Sequence, residues 1–383
     1  MMENTVKLFY EDAFMAEFDA TVLSCEPYKD GYKAVLDRTA FFPEGGGQYG
    51  DTGYLDEIRV TDTKEKDGVI FHIIDAPIEA GKSAHGKLDW EKRFDRMQQH
   101  SGEHIVSGIV HHRFGYNNVG FHLADNYCTM DFDGPITKEQ LLEIENEANQ
   151  AIFHNFPVNV LYPAKEELHE LDYRSKIEIE GQVRIIEIPG VDLCACCAPH
   201  VAYTGQIGLI KLVGMANYKG GERIHMLSGA RALADYQRKH QSVKQISALL
   251  CEKEEKIAEG VERLKTEQSG LKLELASMQK ERLQYKAAEV EVGDGAVCVF
   301  DEKLVGDDLR EIVNLLLERG ASVCGAFGGT DQGGYRYVIG SKTEDVRLLN
   351  QKLKEKFGAR GGGKPEMVQG SLTGTEMEIK ALF

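Results

Sequence analysis

Val243, Leu250, Ile257, Leu264, Leu271, Met278 and Tyr285 recur at strict intervals of seven, set among Glu, Lys and Gln. A seven-residue apolar repeat keeps one stripe on one face of an α-helix, which commits this stretch to helix and excludes it from any sheet. The intervening a-type positions, Ser247, Glu254, Val261, Gln268, Leu275 and Arg282, are mixed. A seam that polar suits a helical hairpin or a weak dimer better than a strong zipper, with "QSGL" at 268–271 as the turn of a hairpin or the kink of a single helix. The helical segment, 236–288, therefore divides a 383-residue chain into parts that must build separate cores.

Before the seam two regions differ in pattern. Residues 1–88 run in short apolar–polar alternations such as "KAVLDRTAFF" and "GVIFHIIDAPI", punctuated by Gly, Asp and Pro. That pattern predicts a small antiparallel, β-barrel-like domain. It contains "FFPEGGGQYGDTG", where Gly45, Gly46 and Gly47 permit a tight loop with exposed backbone N–H groups. Residues 89–235 mix helical and strand patterns, an α+β domain opening on a helix that Gly115 should end. Beyond the seam, 289–383 alternate strand and helix in an α/β manner and close on a second glycine-rich loop, "GARGGGKPEMVQG". The fold class expected is thus α+β and multidomain.

Composition bounds the chemistry. No apolar run approaches the roughly 20 residues of a membrane span, and the acidic N-terminus "MMENTVKLFYEDAF" has no apolar signal core. A cytoplasmic protein is expected, in which cysteines serve as thiols or metal ligands. A formal net charge of −17 excludes a broad basic surface for nucleic acid. Any polyanion must be met by a local patch.

Cys25, Cys128, Cys251, Cys298 and Cys324 lie scattered among apolar neighbours and read as small buried hydrophobes. Cys194, Cys196 and Cys197 do not, because they crowd with His200 into "CACCAPH". About 90 residues earlier, His100 and His104 stand four apart on the predicted helix, one turn from each other on one face. Two imidazoles from a helix with a thiol and an imidazole from a loop make an N/S donor set suited to zinc. Spacing alone leaves the choice among the three cysteines open. The zinc-protease pattern is excluded, since Ser101 follows His100 and Glu103 is one place too late for that motif's base. His111, His112 and His122 read as structural or surface residues.

In order along the chain, "QQHSGEHIVSGI", "GFHLADNYCTMDFD", "CCAPHVAYTGQIG" and "ERIHMLSG" resemble the editing domain of alanyl-tRNA synthetase and of its free-standing relatives, the AlaX proteins. "FFPEGGGQYGDTG" is similar to the glycine motif of the β domain before it, and "GARGGGKPEMVQG" to the DHH-associated C-terminal domain. The likeness is to the long AlaX form, because the β domain starts at the N-terminus and leaves no room for an aminoacylation domain.

The resemblance implies a trans-editing deacylase that hydrolyses alanine-specific tRNA mischarged with serine, and with glycine as a second candidate. It carries the HxxxH pair onto His100 and His104 and the CxxxH pair onto Cys196 and His200, with one zinc per chain. Cys194 and Cys197 become neighbours. The chain departs from the family in Cys-Cys-Ala-Pro-His, where Cys-Gly-Gly-Thr-His is usual, and in Ser101, where Thr is common.

Catalytic candidates are Gln48 and Ser101, as polar partners for the serine hydroxyl or ester, and Asp192, as the carboxylate orienting a ligand histidine. The N–H groups of Gly45, Gly46 and Gly47 are expected to face substrate. Lys354, Lys356, Arg360 and Lys364 form the expected basic patch for tRNA, and a homodimer is expected through the helical segment and C-terminal domain. Two rivals are weighed against this: a non-catalytic, zinc-stabilised tRNA-binding or dimerisation module, and a DHH-type phosphoesterase. The second lacks its Asp-His-His cluster, since the adjacent pair His111–His112 follows Val110.

Overall fold

The computed structural model describes residues 4–175, 181–293 and 295–383. Met1, Met2 and Glu3 of the N-terminal stretch lie outside them. The chain is mixed α/β with several sheets and divides into two compact units, Met1–Gln245 and Ile246–Phe383.

In the first unit, six antiparallel strands close in a ring: Glu17–Tyr28, Gly31–Leu36, Val69–Ile74, Ile58–Lys66, Gly53–Leu55 and Ser83–Leu88. The period of two seen in the sequence places Phe18, Ala20 and Val22 inside with Leu36, Phe41, Leu55 and Ile74. Gly86 pairs with Phe18 across the ladder, and a Cβ there would meet the Phe18 ring at 2.4 Å. A larger residue at this position would expel the ring from the core.

The ring leads directly into the helix Trp90–Phe114, which Gly115 ends in the left-handed conformation (φ 72°), its N–H returning to the His111 carbonyl. Arg93 on this helix is 1% exposed and ties it to the ring, donating from Nε to Asp51 at 2.8 Å and from Nη1 to the Ala13 carbonyl at 3.1 Å. With the helix Lys138–His154, capped by Thr137, it packs on a four-stranded sheet ordered Ile210–Tyr218, Gly221–Ser228, Cys128–Phe132, Asn118–Leu123. Met97, Ile105, Ile109, Met130, Ile144 and Met226 form that core. A three-stranded sheet, Asn159–Leu161, Ile185–Ile188 and Asp192–Ala195, lies beside the helix. Gly108 allows the approach: a Cβ there would sit 2.2 Å from the Val191 carbonyl oxygen.

In the second unit, five strands run in the order Val297–Phe300, Val323–Thr330, Gly334–Ser341, Met367–Leu372, Arg360–Lys364, with only the first pair parallel. Cys324, Ala326 and Val338 face the helix Asp307–Glu318, whereas Val323, Phe327, Tyr337 and Ile339 point to the opposite core with Leu353. The sheet is covered on both sides. "GARGGGKPEMVQG" is not a loop. Arg360–Lys364 is an edge strand paired with Met367–Leu372 around 365–366, so the sequence expectation is corrected. Its glycines allow close pairing, since a Cβ on Gly361 would meet the Gln369 carbonyl oxygen at 2.1 Å.

The heptad segment also differs from expectation. Helix Ile257–Glu289 passes through 268–271 without interruption, and the break falls at 251–256, after the helix Gly229–Leu250. Cys251 there adopts φ 54°, a conformation few non-glycine residues take. No described helix is long and apolar enough to cross a membrane.

Candidate metal centre

His100 and His104 lie on the buried face of the helix Trp90–Phe114, 2% and 1% exposed. Cys196 and His200 stand in the loop after the strand Asp192–Ala195. Fold and packing bring the four together: one nitrogen of each imidazole and the Cys196 Sγ lie within 4.8 Å of one another. Ring centroids are 5.6 Å apart for His100–His104, 5.0 Å for His100–His200 and 4.6 Å for His104–His200. Cys196 Sγ is 3.6 Å from His100 Nε2 and 3.4 Å from His200 Nε2.

Each imidazole is held by its other nitrogen. His100 Nδ1 is 3.1 Å from Gln48 Oε1, His200 Nδ1 is 3.0 Å from Ser101 Oγ, and His104 Nδ1 is 2.8 Å from Asp192 Oδ2. A histidine that donates from Nδ1 presents a lone pair at Nε2. The three residues named from the sequence as catalytic candidates are therefore the three partners that fix the rings. Ser101 Oγ also accepts the Val201 N–H at 3.2 Å, which uses its second lone pair and leaves only its proton to give.

Gln48 belongs to the glycine loop. Gly45 and Gln48 exchange backbone hydrogen bonds of 3.0 Å, and Gly46 and Gly47 turn between them at φ 60° and 81°, where a Cβ would be strained. The N–H groups of Gly46 and Gly47 have no acceptor among the described residues. A Cβ on Gly46 would meet Cys197 Sγ at 3.3 Å and His100 Cε1 at 3.9 Å, so this loop edge borders the metal group. Gln48 is 1% exposed, and its Nε2 is buried with no partner among the described residues. Lys364 lies in the second unit, exposed at the end of its edge strand.

The electrostatics keep the donors ready. Burial, with His104, His100 and Arg184 nearby, holds the His200 imidazole well below its ordinary pKa and hence neutral. Burial would raise the Asp192 carboxyl, but hydrogen bonds from His104 and Arg174 keep it below the usual carboxylate range. Desolvation, reinforced by Cys197, pushes the Cys196 thiol up, a cost that a cation bound at the sulfur would reverse.

Two arginines that no sequence motif marks support this arrangement. Arg174 donates to both oxygens of Asp192, at 2.8 and 2.9 Å. Arg184 Nη1 donates to the carbonyls of Cys196 and Ala198, at 2.7 and 3.0 Å, while its own carbonyl accepts the Cys196 N–H at 3.1 Å. Its guanidinium carbon also lies 5.1 Å from the Tyr10 ring centroid. Both act over distances in the chain that leave no local motif. Glu103 is buried too, accepting from Ser107 at 2.8 Å and Asn118 at 2.6 Å, with Oε2 3.9 Å from His104 Nε2. In a second group, ligand atoms of His104, Asp192 and Cys194 also lie within 4.8 Å of one another, but Asp192 in it is already gripped by Arg174.

The chain is similar in sequence to known proteins over nearly its whole length. Residues 183–225 match the family described as "Threonyl and Alanyl tRNA synthetase second additional domain", and residues 4–92 match "tRNA synthetases class II (A)". The "Alanyl-tRNA editing protein Aarsd1" of Rattus norvegicus is 27% identical, with 98% of this chain and 97% of that protein aligned. "Alanyl-tRNA editing protein AlaX-L" of Pyrococcus horikoshii is 27% identical over 97% of this chain and 96% of its own length. The "Alanine--tRNA ligase" of Pyrococcus furiosus is 30% identical across the whole of this chain, which covers 43% of that enzyme.

Proposed function

We propose that this chain, an AlaX-type relative of the alanyl-tRNA editing proteins over nearly its whole length, hydrolyses alanine-specific tRNA that carries the wrong amino acid. Serine is the leading substrate and glycine the second. The observation that carries the reading is the convergence of three Nδ1-anchored imidazoles and one thiol beside a glycine loop with unengaged N–H groups.

The donor set fits a metal. His100, His104 and His200 each bring one nitrogen within 4.8 Å of Cys196 Sγ, and an N₃S set with rings fixed by hydrogen bonds favours zinc. Bound there, zinc would polarise the ester or orient the substrate's amino group. The remaining work falls to the protein. Gly46 and Gly47 offer N–H groups where carbonyl charge develops. Gln48 holds His100 with one end of its amide and has a donor left over at the other. A buried donor without a partner favours a ligand that brings an oxygen, and so discriminates for the serine hydroxyl against alanine. Asp192 and Arg174 keep His104 from turning.

The N-terminal ring is read as the barrel-like domain of that family and 289–383 as its DHH-associated domain, with tRNA meeting the local patch of Lys354, Lys356, Arg360 and Lys364. The helix Ile257–Glu289 leaves Leu264, Leu271, Met278 and Tyr285 between 50% and 72% exposed, which supports a homodimer through this seam. The non-catalytic reading keeps one argument, since four protein ligands resemble a closed structural site. Incubation with seryl-tRNA made on alanine tRNA separates the two. Hydrolysis that a chelator abolishes and zinc restores is expected, and no hydrolysis by zinc-replete protein would refute the editing role.

A further inference from the structure

We propose that a cavity of about 330 Å³ beside the metal group binds the 3′-terminal nucleoside of the aminoacyl ester, with its base lying against Tyr49 and Tyr127. This rests on the editing reading and adds to it the part of the substrate on the alcohol side of the ester. The walls include Glu44, Gln48, Tyr49, His122, Leu123 and Tyr127, together with two glycines of the loop. Its volume is at the lower end of the ~300–1,000 Å³ typical of small-molecule pockets, where a nucleoside fits and a folded nucleic-acid arm does not.

Three observations point to that occupant. First, Gln48 is shared: it lines the cavity and contacts His100 at 3.1 Å, so the cavity and the metal group meet across one side chain. An acyl group directed at the metal leaves its alcohol side at this wall. Second, Tyr49 and Tyr127 are 51% and 49% exposed. Half-exposed rings on the wall of a pocket give a base the flat π-surface that single-stranded nucleic acids use, without requiring basic residues in the lining. Third, the two loops that carry the rings are fixed from behind. Arg96 Nη1 donates to the carbonyls of Tyr49 and Gly50, at 3.3 and 2.9 Å. Arg231 donates to the Ala124 carbonyl at 2.7 Å, and the Ala124 N–H closes the turn onto the Tyr127 carbonyl at 3.0 Å. Leu123 N–H joins the loops through the Gly47 carbonyl at 3.2 Å. A platform set this rigidly loses little entropy on binding.

The probe is adenosine with its 3′-oxygen replaced by an NH that carries serine as a stable amide, and serinamide serves as the control without a nucleoside. Calorimetry on the zinc-loaded full chain should find the nucleoside compound bound at least about tenfold more tightly than serinamide. Tyr49→Ala with Tyr127→Ala should erase that increment and raise KM for seryl-tRNA about tenfold, while Tyr127→Phe keeps both at wild-type values. Both rings are surface residues, and zinc content reports that the variant is folded. An increment and KM unchanged in the double alanine variant would overturn the proposal. A wild type that hydrolyses seryl-tRNA without any nucleoside increment overturns the cavity and leaves the editing reading standing. A wild type that hydrolyses nothing, yet shows an increment that the tyrosine changes erase, supports the cavity and removes the editing reading.

Discussion

Asp192 accepts the Nδ1 proton of His104 at 2.8 Å while Arg174 donates to both of its carboxylate oxygens. Asp192 is 4% exposed, so it fixes the imidazole in a dry, charged frame. Asp192→Asn keeps the shape but weakens this grip. Zinc affinity should fall ~10–100-fold, as measured by competition with a chromophoric chelator. An affinity within twofold of wild type would remove Asp192 from the metal centre.

Arg184 holds the ligand-bearing turn rather than a ligand. Arg184→Ala leaves the carbonyls of Cys196 and Ala198 without their donor, a loss of about 1–3 kcal/mol. Thermal unfolding of the zinc-loaded protein should show it. If the residue acts through metal retention, the difference from wild type shrinks once a chelator is present.

Gly108 lets the helix meet the strand that ends at the site. Gly108→Ala would press a methyl to 2.2 Å from the Val191 oxygen and 2.8 Å from the Asp192 Cβ. Such overpacking costs about 1–3 kcal/mol. Deacylation should fall further than stability accounts for, because Asp192 is displaced with its neighbour, and kcat/KM measured below the melting range tests this.

His72 lies inside the ring, 0% exposed, with Nε2 accepting from Thr39 at 2.8 Å and Nδ1 facing the Ala34 carbonyl. Burial pushes it down to about 4 from 6.5. Between those values the unfolded chain binds the extra proton, so stability is complete above pH 6.5 and falls as pH drops towards 4. The loss approaches about 3 kcal/mol below that window. His72→Gln should flatten the slope of urea-unfolding free energy between pH 6.5 and 4 relative to wild type, even if it lowers stability at neutral pH.

The exposed heptad residues set a further expectation. Leu264→Glu with Leu271→Glu should shift a dimer to monomer in sedimentation equilibrium, and a wild type that is monomeric at every concentration would rule out the seam as an interface.

The residues show why some of this was readable in the sequence. His100 and His104 are four apart on one helix, so local geometry alone makes them neighbours. The strand alternation in Glu17–Tyr28 is equally local. Choosing Cys196 among three cysteines took a family resemblance, because a loop's direction depends on what holds it, here Arg184. Arg174 and Asp192 are 18 residues apart, with no spacing rule to connect them. The heptads mark the seam as helical and "QSGL" offers a break, but Gly270 within it is an exposed helix-interior glycine that costs only about 1 kcal/mol there. The true break, at 251–256, contains neither Gly nor Pro, so no local signal marked it.

The three Nδ1 anchors come from different places: Gln48 from the loop of the ring, Ser101 from the helix itself, and Asp192 from the neighbouring sheet. The site therefore works as a coincidence detector. Only a first unit with ring, helix and sheet all docked presents three correctly turned imidazoles at once, so an incompletely assembled chain holds metal weakly. By mass action an ion bound by these four donors would reward complete assembly.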